Sequence, residues 1–421
     1  MNRFLYSLFL YLALPFVPLK LLWRGIKQPA YLKHCGERFG FYNGPVNQPI
    51  IWLHCVSVGE TRAAEPLIQA LQTQYPEHQI LITNTTPTGR DASQQLFGNA
   101  VLRVYLPYDL PFAVNNFLNH FKPKIGLLME TELWFNLIAV CKQREIPLLL
   151  LNARLSEKSA NGYAKLGKLA SEGMQSLSAV AAQTAADFSR FQTLHANNIS
   201  VAGNLKFDVK PPAGSVDKGL QLRKLLGNKR TIFLAASTRK GEEKHILAAV
   251  KGLDILTTNL LTIIVPRHPQ RFNEVESIIQ NSGLTYQRRS HLVGSVDKNI
   301  QVVLGDSMGE LFTYYAACDF TLVGGSLFEY GGQNLIEAAC MGKPILIGSH
   351  TFNFADATEN AIRAQAAIRV KNMAALRDSI QYLLHNAPKR EKMGEAALSF
   401  SKASTGATMH LMKLIAQYLH T

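Results

Sequence analysis

Two carboxylates in this chain stand where an open α/β sheet would offer them to a ligand. The stretch Ile51-Trp-Leu-His-Cys-Val-Ser-Val-Gly-Glu60 reads as a buried strand entering a small-residue turn. Glu60 then opens the helical pattern Thr61-Arg-Ala-Ala-Glu-Pro-Leu-Ile-Gln-Ala-Leu. Ligands of such sheets gather beyond the carboxyl ends of the strands. The plainer alternative is that Glu60 only caps its own helix, whose positive end favours an anion. Glu130, in Leu127-Leu-Met-Glu-Thr-Glu-Leu-Trp-Phe-Asn, sits beyond a second strand. A pair of acids allows one to work as a base while the other orients groups or stabilises positive charge. Lys206, in Gly203-Asn-Leu-Lys-Phe-Asp, lies beside a predicted linker, where it reaches either half or is an ordinary surface lysine.

The second half offers positive charge and glycine. Thr321-Leu-Val-Gly-Gly-Ser-Leu-Phe-Glu-Tyr-Gly-Gly-Gln-Asn-Leu-Ile-Glu ends a strand, passes a glycine-rich loop and opens a helix near Asn334. Glycine lets backbone approach a ligand closely, and helix N–H groups suit a phosphate. Glu337 can accept hydrogen bonds from a ribose diol. Arg267 and His268 follow a strand in Ile263-Ile-Val-Pro-Arg-His-Pro, and Arg267 suits a phosphate by its fork geometry. Met308, Gly309 and Glu310 follow another strand, and Ser237, Thr238 and Arg239 a third. Each alone could be a solvated loop; together, at strand ends of one sheet, they describe a nucleotide pocket.

Several chemistries lose their support. Gly342-Lys343 is followed by Pro344, so no P-loop is present, and no G-x-G-x-x-G follows a strand. Without D-x-D, H-E-x-x-H or C-x-x-C, no divalent metal is expected. The five cysteines are scattered and odd in number, as expected of buried thiols in a reducing compartment. The net charge of +14 favours an anionic partner, but the basic residues form no arm and no zinc finger or RNA-binding motif, so nucleic acid is not expected.

These residues need two sheets to hold them. From about residue 50 short apolar runs alternate with amphipathic ones, the βαβ rhythm of a doubly wound parallel sheet. Strands are expected at Ile50–Val56, Gln79–Thr83, Val101–Tyr105, Ile125–Met129, Ile146–Leu151 and Ala179–Ala182. Pro211-Pro212 breaks the pattern, which restarts at Thr231–Ala235, Leu261–Val265, Gln301–Leu304, Phe320–Val323 and Pro344–Ile347. A helical pattern covers Met393–Leu419. Phe4 to Leu19 carries no charge, is interrupted by Pro15 and Pro18, and is flanked by Arg3, Lys20, Arg24, Lys27 and Lys33. It is somewhat short of the ~20 residues that span a bilayer. It reads as an uncleaved, shallow anchor on an anionic leaflet, or else as an apolar helix packed on the protein. The expected organisation is an anchor at residues 1–34 and Rossmann-like α/β domains at 35–209 and 210–421, facing a cleft.

The motifs together resemble a known family. His54-x-x-Ser-Val-Gly-Glu60, Thr85-Thr-Pro-Thr-Gly89, Met129-Glu-Thr-Glu-Leu-Trp134, Asn152-Ala-Arg-Leu-Ser156, Gly203-x-Leu-Lys-Phe-Asp208, Val265-Pro-Arg-His-Pro269, Met308-Gly-Glu310, Gly324-Gly-Ser-Leu327 and His350-Thr-Phe-Asn-Phe354 are similar to those of the 3-deoxy-D-manno-octulosonic acid (Kdo) transferases. The resemblance runs from the N-terminus to about residue 360. It implies two Rossmann-like domains of the GT-B type. It also implies inverting, metal-independent transfer of Kdo from CMP-Kdo to lipid IVA at the cytoplasmic face of the inner membrane, with anionic membrane lipids as partners. By motif, Glu60 matches the general base, and Glu130 and Lys206 match groups that stabilise the transition state. Arg267, His268, Met308, Gly309, Glu310, Asn334, Leu335, Ile336 and Glu337 match the CMP contacts. The chain departs from the pattern at Phe135, where the family commonly has Pro, and at Gln333, often His. A helix start weakens a carboxylate as a base and burial strengthens it, and the sequence sets these two effects against each other at Glu60. The competing assignments are a lipid A disaccharide synthase, a peptidoglycan lipid II synthase or a membrane-tethered nucleotide-binding regulator. CMP or UDP as the protecting nucleotide separates the enzymes.

Overall fold

The computed structural model describes residues 1–253 and 259–419; residues 254–258 and 420–421 of the expected second domain lie outside the described residues. The chain divides into two compact units, one of residues 1–208 with 405–421 and one of residues 209–404. The sequence reading placed the terminal helix in the second half; it belongs to the first.

Among the described residues, the first unit contains β1 (Ile50–His54), β2 (Gln79–Asn84), β3 (Leu102–Tyr105), β4 (Ile125–Met129), β5 (Leu148–Ala153), β6 (Ala179–Ala182) and β7 (Ile199–Val201). They form one parallel sheet in the order β3-β2-β1-β4-β5-β6-β7. Helices cover both faces, so the central strands are apolar on both sides. Ile51 and Leu53 join one core with Leu67 and Leu71 of the helix Glu65–Gln74 and Leu411 and Ile415 of the terminal helix. Ile50 and Trp52 join the other with Phe117, Leu137 and Ile138. Gly126 has to be glycine: a Cβ there would come within 2.8 Å of the Trp52 ring and 2.5 Å of Leu148. Order reverses between β1 and β4, so the crevice of a doubly wound sheet opens between their carboxyl ends.

The second unit repeats the plan with β8 (Thr231–Thr238), β9 (Leu260–Pro266), β10 (Tyr286–Arg288), β11 (Val302–Leu304), β12 (Phe320–Val323), β13 (Ile345–Ile347) and β14 (Ala367–Arg369). Its order is β10-β11-β9-β8-β12-β13-β14, and the reversal falls between β8 and β12. The edge strands β7, β10 and β14 were not expected. Each has three residues and is only partly buried, so none forms the unbroken apolar run that marks β11 and β13.

The expected single C-terminal helical stretch is two helices, Ala387–Ser404 and Ala407–Leu419. Gly406 breaks them at φ +114°, a conformation that L side chains rarely adopt. Asp208 caps the second helix, accepting the Gly406 N–H at 2.7 Å and the Thr408 N–H. The N-terminal segment is a helix pair, Arg3–Ala13 and Phe16–Lys27. Among the described residues no single helix is long and apolar enough to cross a membrane, and this pair bends by 56°. The first helix is pegged to the body of its unit. Tyr6 donates to buried Asp109 at 2.9 Å, Ser7 donates to Asn136 at 2.9 Å, and Tyr6 meets the Phe135 ring edge-on at 5.4 Å. Much of the pair's apolar surface is exposed, Phe4 by 74% and Ile26 by 81%, while Leu21 is buried.

Candidate functional site

In the first unit the strand-end acids meet. Beyond β1 the chain turns at Ser57, the N-cap of the helix Val58–Ala63, whose hydroxyl accepts the Glu60 N–H at 3.5 Å. The Glu60 carboxylate reaches back, accepting the Val56 N–H at 2.7 Å and the Ser57 hydroxyl at 2.8 Å. This is close to a capping box, in which two ends of a first turn satisfy each other. Glu60 therefore caps its helix, yet it is only 9% exposed. Burial pushes its carboxyl above the ordinary range, against those two hydrogen bonds; the charge of Glu130 adds to the rise and that of Lys206 opposes it. Burial thus outweighs the two hydrogen bonds at Glu60, and a more basic carboxylate makes a stronger base.

Glu130 follows the last residue of β4 and holds φ at +59°, a left-handed conformation that is uncommon for a residue with a side chain. Its N–H donates to Leu151 O of β5 at 3.0 Å, which fixes the turn. Its carboxylate meets Lys206 Nζ at 3.5 Å. The turn Leu205–Asp208 that carries Lys206 is held at several points. Asn152 Oδ1 accepts the Leu205 N–H and Asn204 Oδ1 accepts the Lys206 N–H, each at 3.0 Å. At its far end Asp208 grips the terminal helix. Lys206 thus lies with Glu130 in the first unit.

The sequence reading passed over Glu132. It is half-buried beside these residues, and its Oε2 accepts the Trp134 indole N–H at 3.0 Å. The signal was a second acid two residues after the first in Met129-Glu-Thr-Glu, on the same loop beyond the strand.

In the second unit the strand ends carry cations. Arg239, after β8, donates to His268 Nε2 at 2.7 Å, and its guanidinium lies 4.7 Å from the Tyr330 ring centroid. Arg267, after β9, is tied by its N–H to Thr238 O at 3.0 Å, and its Nε donates to Gln333 Oε1 at 3.2 Å. Gln333 therefore orients this arginine. Burial and the charges of Arg239, Arg267 and Arg271 push the His268 ring below its ordinary range, which keeps it neutral and able to accept.

Other expected contacts are more constrained. Gly324 packs on β8 so tightly that a Cβ would fall 2.5 Å from Ser237 O. The N–H groups of Gly325 and Leu327 do not face open space: both donate to the buried Glu242 carboxylate, at 2.7 and 3.0 Å. Leu335 and Ile336 are fully buried, so their side chains meet no ligand, and the Ile336 N–H already donates to Asn334 Oδ1 at 3.1 Å. Asn334 Nδ2 donates in turn to Glu337 at 3.3 Å. Met308 is exposed, and Gly309 takes φ +77°. Glu310 accepts Ser307 Oγ at 2.5 Å and pairs with Arg289 at 3.2 Å, at the end of β11.

Residues 33–209 match the family model described as 3-Deoxy-D-manno-octulosonic-acid transferase (kdotransferase), and residues 225–400 match that of Glycosyl transferases group 1. A 3-deoxy-D-manno-octulosonic acid transferase of Haemophilus influenzae is 37% identical over 424 residues, covering 100% of this chain and 99% of the relative. The protein of that name from Bordetella pertussis is 40% identical over 394 residues, 91% of each chain. Among solved structures, UDP-GlcNAc 2-epimerase from Neisseria meningitidis bound to UDP-GlcNAc aligns with a TM-score of 0.58 at 16% identity, covering 88% of this chain and 100% of that one. At that identity the likeness concerns the fold, two parallel-sheet α/β domains.

Proposed function

Because this chain belongs to the 3-deoxy-D-manno-octulosonic acid transferase family, glycosyltransferases of lipopolysaccharide synthesis, we propose that it moves Kdo from CMP-Kdo to lipid IVA with inversion and without a metal. Glu60 is the general base. As the acceptor hydroxyl oxygen forms its bond to the anomeric carbon of Kdo, Glu60 takes the proton and the bond to the CMP phosphate breaks, CMP leaving with the electron pair. The observation that carries this reading is the state of Glu60: buried, raised in proton affinity and fixed by two hydrogen bonds at the carboxyl end of β1. Glu130 and Lys206 stabilise the charge that develops during transfer, as preorganised groups can at low cost in reorganisation. Arg267, held by Gln333, and Arg239 neutralise the departing phosphate. Met308, Gly309, Glu310, Asn334 and Glu337 complete the CMP site, with Leu335 and Ile336 packed beneath it.

The N-terminal helix pair seats the enzyme on the cytoplasmic leaflet of the inner membrane. Its exposed Phe4, Phe9, Leu12, Phe16, Leu19 and Ile26 support this, as do Lys20 and Arg24, each basic side chain contributing roughly 1 kcal/mol near an anionic surface. The docking of Tyr6 and Ser7 on the body favours a pair lying in the interface over one that spans.

Incubation with CMP-Kdo and lipid IVA in EDTA, read by mass spectrometry, tests the whole. The expected product is heavier by one Kdo unit; unchanged lipid IVA overturns the acceptor or donor assignment. Protection from thermal unfolding by UDP and not CMP would favour the other glycosyltransferase classes.

A further inference from the structure

Three carboxyls gather at the crevice between β1 and β4, and they differ in what faces them. Glu60 accepts two hydrogen bonds. Glu130 has the ammonium of Lys206 at 3.5 Å. Glu132 has one neutral donor, the Trp134 indole N–H at 3.0 Å, and among the described residues no cation pairs with it. The remaining groups that feel its charge are acids or a phenol. Glu60 lies on the turn after β1, Glu130 on its own loop, and Tyr163 on the helix Glu157–Ala164. Trp134 is itself wedged, its ring meeting buried His54 edge-on at 6.4 Å, at the end of the strand that leads to Glu60. That indole links Glu132 to the end of the strand that leads to Glu60.

We propose that Glu132 is a positioning residue for the base: a third carboxyl coupled to Glu60, whose charge state sets how strongly Glu60 holds the acceptor's proton. The inference rests on the reading of Glu60 as that base. Burial, first, and then the charge of Glu60 hold the Glu132 carboxyl up at about 7, where an isolated glutamate would be near 4.5; the Trp134 N–H opposes this and Glu130 adds to it. Below neutrality Glu132 keeps its proton. As Glu132 ionises, its charge raises the proton affinity of Glu60, because coupling between two sites is mutual. A stronger base results within the range where the reaction runs. Glutamine at this position would keep the packing and lose the switch.

Two measurements on the full-length protein test this. The first is the pH profile of kcat/KM. Wild type is expected to show a second rise near neutrality; Glu132→Gln should retain turnover below it and lose that rise. Trp134→Phe removes the donor that stabilises the ionised form, so it should move the rise to higher pH. A Glu132→Gln profile of unchanged shape, whatever its height, overturns the proposal. The second is the titration of Glu132 by carbon NMR of labelled carboxyls, which needs no turnover. Glu60→Gln should lower the Glu132 midpoint by about one pH unit, the scale of a coupled pair. No displacement removes the coupling. A displacement with full turnover in Glu60→Gln keeps the coupling and removes instead the reading of Glu60 as base.

Discussion

The carboxyl edges of the two sheets have the same topology and opposite charge. At the reversal between β1 and β4 the first unit presents Glu60, Glu130 and Glu132, relieved by Lys206. Around the reversal between β8 and β12 the second presents Arg239 and Arg267 with a neutral His268. Acids occur there too, but they are consumed by the structure. Glu242 and Glu243 are both 0% exposed. Glu242 binds the backbone N–H groups of Arg239, Gly325 and Leu327. Glu243 accepts both arms of the Arg271 guanidinium, at 2.7 and 3.0 Å. The contrast separates two uses of a buried glutamate. Burial raises the Glu242 carboxyl as it raises that of Glu60, so proton affinity alone does not separate them. Glu242 is closed in by three backbone N–H groups and builds a loop, whereas Glu60 accepts one backbone N–H and one hydroxyl and lies beside two further acids.

Substitutions should split along that line. The largest loss of turnover is expected from Glu60→Gln, about 10²–10⁴-fold in kcat, with the thermal unfolding midpoint held near that of wild type. A variant that folds and turns over fully would erase the distinction. Glu243→Ala should do the reverse, costing about 1–3 kcal/mol of stability because it leaves the buried Thr238 hydroxyl unpaired and Arg271 with only the more exposed Glu274 as partner. Chemical denaturation checks it, and a cost below ~1 kcal/mol would place Glu243 with surface pairs. Arg267→Ala should weaken CMP binding by about 10- to 100-fold, the equivalent of one charged hydrogen bond. Calorimetry with CMP reads this directly, and unchanged affinity would leave the phosphate to Arg239. Smallest is a pH effect. Asp109, which holds Tyr6 and two backbone N–H groups of the helix after Trp134, is raised to about 6 from 3.8 by burial, and Glu132 to about 7. Both keep protons that the unfolded chain has released, so the stability they contribute is complete below about pH 4 and lost as pH rises through 6 to 7. The denaturation midpoint should therefore fall between about pH 5 and 8, and fall less in Asp109→Asn.

Much of this was legible in order along the chain. The central strands announced themselves because a strand covered on both faces is an unbroken apolar run, and Ile125–Met129, Ala179–Ala182 and Phe320–Val323 lie where expected. Their ends were legible too, since polarity returns sharply at Glu60, Glu130 and Arg267. Glu132 was missed because an acid two residues after another looks like solvated loop until the Trp134 indole is seen on it. Leu335 and Ile336 were grouped with the CMP contacts by motif position, yet burial confines their side chains to the core.

By itself the sequence determined the two-sheet architecture, the family and the chemistry-bearing side chains, because period, strand-end polarity and motif spacing are local properties of a chain. Only the tertiary structure decided what surrounds each acid. Proton affinity depends on what burial removes and which donors arrive from distant segments, Lys206 to Glu130 and Arg271 to Glu243 among them. The return of Ala407–Leu419 to the first unit, capped by Asp208 from nearly 200 residues earlier, is of the same kind. An amphipathic helix carries no mark of which apolar face it will cover.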